Sequence, residues 1–170
     1  LATDDYRHLA LSRDWRALFE AAQARVGDRP LRLLDVACGS GKFPNALVRH
    51  AGLDQADVAP IETALLDPSS FSIAQARAAL PKPFQPAAEY ETTLQDFSPP
   101  TEGFDIVWAA HALYAVPEVE IDAALAQFRA AIATGGLGVI AHSAAAGHYI
   151  AFHRQYLAAF GPAEATPYIS

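Results

Sequence analysis

Leu31-Arg32-Leu33-Leu34-Asp35-Val36-Ala37-Cys38-Gly39-Ser40-Gly41-Lys42-Phe43 is the stretch on which the fold turns. Residues 31–36 form a short apolar run interrupted by one acid, the pattern of a strand buried on both faces. Gly39 and Gly41 make a turn, and residues 43–51 read as a helix. A glycine turn between strand and helix invites a ligand, and three ligand classes compete for it. A nucleotide-triphosphate loop needs Gly-x-x-x-x-Gly-Lys followed by Ser or Thr. Here Val36 stands at the first glycine and Phe43 at the hydroxyl. A dinucleotide turn needs a third glycine for close helix–strand packing, and counting from Gly39 that position is Pro44.

The pattern repeats on either side of the turn. Residues 3–27 read as one helix, capped by Asp4 or Asp5 and stopped by Gly27 and Pro30. Residues 52–62 are a loop, and 63–66 a strand closed by Asp67-Pro68. A helix over 70–80 and strands over 88–94 and 104–110 come next. The periodicity then predicts a helix over 118–133, a Gly135-Gly136 turn, a strand over 137–142 and a helix over 148–160. Strands alternating with helices give an α/β doubly wound fold, a mostly parallel sheet with helices on both faces. The expected division is an N-terminal cover helix over 1–29 and a ligand-binding domain over 30–170.

At 170 residues and 52% apolar composition, the chain has enough material for one proper core. A net charge of −7 argues against a nucleic-acid footprint, which needs clustered Lys and Arg. The single cysteine makes no intramolecular disulfide and no multi-thiolate metal site, which suits a reducing, cytoplasmic setting. No apolar run approaches the ~20 residues that cross a bilayer, so no membrane partner is expected. The chain starts at Leu1 and contains no Met, which reads as an excised piece or a chain lacking native residues.

Asp35, then Ala37, Gly39 and Gly41 at every second residue, then a helix, resembles the first motif of class I S-adenosylmethionine-dependent methyltransferases. The usual form is acidic-x-Gly-x-Gly-x-Gly, and Ala37 replaces the first glycine. The resemblance extends over roughly residues 30–143 and implies a Rossmann-like methyltransferase fold with S-adenosylmethionine as cofactor. Glycines admit the cofactor to the backbone, and a helix N-terminus favours its carboxylate. In the family the second strand ends in an acid that receives the ribose hydroxyls, and Asp67-Pro68 stands there. Asp96 matches the acid near the adenine amino group, with Phe97 following at the base. The family's sheet ends with two further strands, which the chain lacks before Ser170. That implies a piece of a longer enzyme, or an open edge completed by a homodimer partner or an additional domain.

His111 falls where the fourth strand runs out, at the carboxyl edge where ligands collect in such sheets. It is the candidate catalytic base; a His packed under the next loop is the plainer alternative. His142 has a similar position. His148 and His153 are five apart on one helix and point in different directions, so no metal is expected. Cys38 reads as a small buried residue, and Lys42 as a solvated lysine or a cofactor contact. Trp108, Tyr114, Phe152 and Tyr156 would suit an apolar acceptor. The family's Asn- or Asp-Pro-Pro-aromatic signature is absent after the fourth strand, which favours a small-molecule O, N or C acceptor over nucleic acid. Two other classes compete: a methyltransferase-like binding or structural domain without turnover, and an NAD(P)-dependent oxidoreductase, against which the absent third glycine counts.

Overall fold

The computed structural model describes residues 2–142 and 148–161. The end of the expected binding domain, 162–170, lies outside the described residues. Five strands, β1 (Arg32–Val36), β2 (Ile61–Leu66), β3 (Phe84–Tyr90), β4 (Phe104–Ala110) and β5 (Ile132–Ala141), form one sheet in the order β3-β2-β1-β4-β5. Every neighbouring pair is parallel. Among the described residues six α-helices accompany them: α1 (Ala2–Leu11), α2 (Trp15–Val26), α3 (Lys42–Ala51), α4 (Ser70–Ala79), α5 (Ile121–Ala130) and α6 (His148–Phe160).

Alternation along the strands sorts the core. Leu33, Ile61, Ile106 and Trp108 face Trp15 and Phe19 of α2 and Phe43 and Leu47 of α3. Leu65 meets Ile73 and Ala76 of α4. Leu34, Val36, Val107 and Ala109 pack with Ala124 and Phe128 of α5. The central strands are thus covered on both sides, as their unbroken apolar runs require.

Four expectations need correcting. The single helix over 3–27 is two helices, broken at Ser12–Asp14. Ser12 donates from its backbone and its hydroxyl to the Leu9 carbonyl, and Trp15 Nε1 donates to the same oxygen. Asp14 caps α2 by accepting the Ala17 N–H at 3.0 Å. Ser and Asp compete for the backbone in this way wherever they interrupt a helix. The third strand runs over Phe84–Tyr90 instead of 88–94, beginning directly after Pro83. It carries Pro86, which is tolerated because β3 is an edge strand.

The helix expected over 118–133 shortens to Ile121–Ala130, preceded by a tight turn over Glu118–Glu120. Gly135-Gly136 is no turn ahead of the fifth strand. It is a bulge inside β5, whose pairing with β4 jumps from Phe104↔Ile132 to Ile106↔Leu137. A Cβ at Gly136 would lie 2.9 Å from the carbonyl oxygens of Ala133 and Phe104, so only glycine fits.

Candidate active site at the carboxyl edge of the sheet

The order β3-β2-β1-β4-β5 makes the chain leave β1 toward one side and return to its other side as β4. Such a reversal opens a crevice beyond the carboxyl ends of the strands. Ala37, Asp67 and His111 each follow the last residue of β1, β2 and β4. Parallel register therefore brings three residues distant in sequence to one edge.

The loop after β1 is built on positive φ. Ala37, Gly39 and Gly41 lie at φ +52°, +51° and +71°. This left-handed region costs a non-glycine residue about 1–2 kcal/mol, so Ala37 is held there by its surroundings. Cys38 N–H bonds the Leu66 carbonyl at 3.1 Å, fastening the loop to β2. Asp67 fastens it again: one carboxylate oxygen accepts the Gly39 N–H at 3.1 Å and the other accepts the Ser69 N–H at 2.9 Å. A carboxylate offers about four acceptor positions, so two remain for ligand hydroxyls.

The glycines differ in what a side chain would meet. A Cβ at Gly41 would stand 3.2 Å from Ala76 Cα, so α3 and α4 touch there. At Gly39 the nearest atom is the Ala37 oxygen, 4.0 Å away, which leaves the space above that residue open. That cradle is what a cofactor in contact with the loop needs.

Asp35 is buried in β1, and Trp108 lies beside it in the β1–β4 register. Trp108 Nε1 donates to Asp35 Oδ1 at 2.6 Å, while Oδ2 has no hydrogen-bond partner. Burial, opposed by the Trp108 bond and reinforced by Asp67, pushes the Asp35 carboxyl up to about 7. Burial and the same two acids push the Cys38 thiol far up, so it is no nucleophile at neutral pH.

His111 has φ +55°, and its N–H donates to Ala141 O at 2.8 Å. That bond sets His142 beside it on the neighbouring strand end. A non-glycine residue held in the left-handed region at a sheet's carboxyl edge is an outlier of the kind found at functional sites. The ring of Tyr6 from α1 meets the His111 ring edge-on at 5.5 Å between centroids. Burial, Asp35, Tyr114 and Asp5 push the Tyr6 hydroxyl up to about 12. Tyr6 thus belongs to the site. Its only trace in the sequence is its place in an N-terminal helix that could cover the sheet edge.

The other expected residues fall less centrally. Asp96 is exposed and accepts a 2.7 Å hydrogen bond from the Thr93 hydroxyl. Phe97 is 2% exposed, packs its ring on Tyr90 and donates its N–H to the Leu94 carbonyl. Its ring and its N–H are both engaged inside the protein. Pro68 is exposed beside Asp67. Trp108 is fully buried, so the expectation that it lines an apolar acceptor site is corrected: its ring lies among Phe19, Phe43 and Phe84. Phe152 and Tyr156 are exposed on α6. Among the described residues no group of His, Cys, Asp and Glu converges on a metal position, and no helix is long and apolar enough to cross a membrane.

Residues 33–136 match the family described as methyltransferase domain, and the chain belongs to that family. No curated protein matches it. Among solved structures, DesVI of Streptomyces venezuelae is 25% identical, with 80% of this chain and 50% of that chain covered and a TM-score of 0.51. The complex of DhpI with SAH is 26% identical, with 84% and 68% covered and a TM-score of 0.50. SAM-bound CalS10, an amino pentose methyltransferase from Micromonospora echinaspora, is 24% identical, with 79% and 50% covered and a TM-score of 0.53; it shows the fold alone. The chain spans about half the length of DesVI and of CalS10.

Proposed function

We propose that the chain carries the cofactor half of an S-adenosylmethionine-dependent methyltransferase acting on a small-molecule O, N or C acceptor. The observation that carries this reading is the Asp67 carboxylate, which fastens the glycine loop through Gly39 and keeps acceptor positions for a ribose. The open space above Gly39 receives the methionine part. Ala37 and Gly41, both at positive φ, give the loop its shape, and Asp35 lies buried at the end of β1 beneath it. Asp96, at the exposed end of the segment after β3, meets the adenine amino group, with Pro68 and the backbone around Phe97 along the edge of the base. When bound, the cofactor supplies a methyl group already activated on a sulfonium centre. The protein's work is therefore alignment and exclusion of water. Tyr6 and the rest of α1 cover the cleft, and His111 takes a proton from an acceptor hydroxyl or ammonium.

One solved structure supports the cofactor directly: DhpI is described as a complex with SAH. Calorimetric titration of the chain with S-adenosylhomocysteine, NADH and ATP tests the reading. Selective micromolar binding of the first is expected, and binding of NADH alone overturns it. His111→Ala should leave that affinity within about twofold. With an acceptor found by screening, the same change should slow transfer ~100-fold or more, the usual range for a general base. Transfer at the wild-type rate removes His111 from the chemistry. Tight cofactor binding with no transfer to any acceptor class would favour a binding domain without turnover.

A further inference from the structure

The chain carries a net charge of −7, yet one cleft beside the loop is walled by cations. It has a volume of about 410 Å³ and is bounded by Tyr6 of α1, Ser40 of the loop, and Lys42, Asn45, Arg49 and His50 of α3. Among the described residues no carboxylate lines it. Among the described residues, Lys42, Arg49 and His50 make no ion pair.

Part of this charge has a structural reason. Arg49 and His50 occupy the last turn of α3, where cations suit the negative end of the helix dipole. Lys42 does not: it opens the same helix at the positive end, and no acidic residue accompanies it in the first turn. Its placement is unfavourable unless an anion joins it. Lys42 and Arg49 are two turns apart on one face, about 10 Å along the axis, within reach of one multiply charged group through their long side chains. Asn45 is a wall rather than a donor, since its amide nitrogen is occupied by the Gly41 and Ala79 carbonyls at 2.8 Å each. Tyr6 connects the cleft to the reaction centre: it lines the cleft and sets its ring against His111.

We propose that this cleft seats a phosphate or diphosphate group of the methyl acceptor. That assignment rests on the methyltransferase reading above and narrows its substrate to anionic small molecules. Lys42 and Arg49 bind the charge, and Tyr6 orients the rest of the acceptor toward His111.

The test is calorimetric titration with inorganic pyrophosphate at low ionic strength, with and without saturating S-adenosylhomocysteine. Binding at one site is expected in both conditions. Arg49→Glu and Lys42→Ala should each weaken it at least tenfold, while Arg49→Glu leaves S-adenosylhomocysteine affinity within twofold. Both side chains are exposed, and circular dichroism melts check that each variant folds. No pyrophosphate binding, or binding indifferent to both substitutions, overturns the site. Displacement of pyrophosphate by S-adenosylhomocysteine also overturns it, because the cleft would then belong to the cofactor. Pyrophosphate held through Arg49 by a chain that ignores S-adenosylhomocysteine keeps the anion site and overturns the methyltransferase reading instead.

Discussion

The Asp67 carboxylate accepts the Gly39 N–H with one oxygen and the Ser69 N–H with the other, before any ligand arrives. Removing it therefore does two things. Asp67→Ala leaves two partly buried N–H groups without their acceptor, at a cost of up to about 1–3 kcal/mol each where water cannot replace it. It also deletes the acceptor offered to the ribose. Thermal unfolding without ligand should show the first effect as a lower Tm. Titration with S-adenosylhomocysteine, at a temperature where the variant is fully folded, should show the second as a loss of affinity beyond tenfold. Wild-type affinity in the folded variant would leave Asp67 a loop fastener and nothing more. The burial that fits Asp67 for both tasks comes from its place at the end of β2, one strand away from the loop it holds.

The two glycines of the β1–α3 turn separate packing from binding at the scale of elements. Gly41 has φ +71°, and a Cβ there would press on Ala76 of α4. Gly41→Ala should cost about 2 kcal/mol from backbone strain alone, more if α4 shifts, and should lower the urea midpoint. Gly39 has φ +51°, but its Cβ would enter open space. Gly39→Ala should be the milder change in stability and the severer in S-adenosylhomocysteine affinity. Equal affinities for the two variants would mean that the space above Gly39 holds no ligand. This turn is legible in the sequence because acid, glycines and helix start lie within the eight residues Asp35–Lys42, and local spacing carries the whole signal. The strand–helix alternation and the carboxyl-edge position of His111 are legible for the same reason. The break at Ser12–Asp14 hides because apolar periodicity runs through it, while the capping of Ala17 by Asp14 is a choice between two local hydrogen-bond schemes. The bulge at Gly135-Gly136 hides because it is defined by the partner strand β4. Trp108, on β4, misleads for a deeper reason. A strand buried on both faces shows no polar alternation, so sequence does not say which ring lines a site and which fills the core.

Two buried carboxyls on β1 and β4 respond to pH with opposite signs. At the amino edge of the sheet, Asp105 accepts two 2.7 Å hydrogen bonds from the Arg29 guanidinium and one of 2.8 Å from the Arg32 N–H, tying the α2–β1 connection to β4. Burial works to raise its pKa, but the bonds from Arg29 and the Arg32 backbone outweigh it, and the net shift is downward. A group depressed in the folded state stabilises the fold above its unfolded pKa, and that contribution disappears as pH falls through the folded value. Asp105→Asn should thus cost about 1.5–3 kcal/mol at pH 7, the range for a hydrogen bond to a charged group, and progressively less below pH ~4. Asp35 behaves the other way. Its folded pKa of about 7 stands above the ordinary 3.8 because burial disfavours its charge. Between those values the folded chain holds a proton that the unfolded chain has released, so stability falls as pH rises and levels off above about 7. Both groups together place their joint optimum near the ordinary carboxylate value of about 4, where Asp105 is already ionised and Asp35 still holds its proton. Asp35→Asn keeps an oxygen for Trp108 Nε1 and removes the ionisation. Whatever its offset from wild type at pH 4, the variant should gain relative stability steadily toward pH 7 and no further beyond. Urea midpoints across that range measure the difference. Parallel profiles for the two proteins would mean that Asp35 is ionised at neutral pH in the fold. The loop above it would then rest on a buried negative charge, one that would oppose the carboxylate of any cofactor placed there.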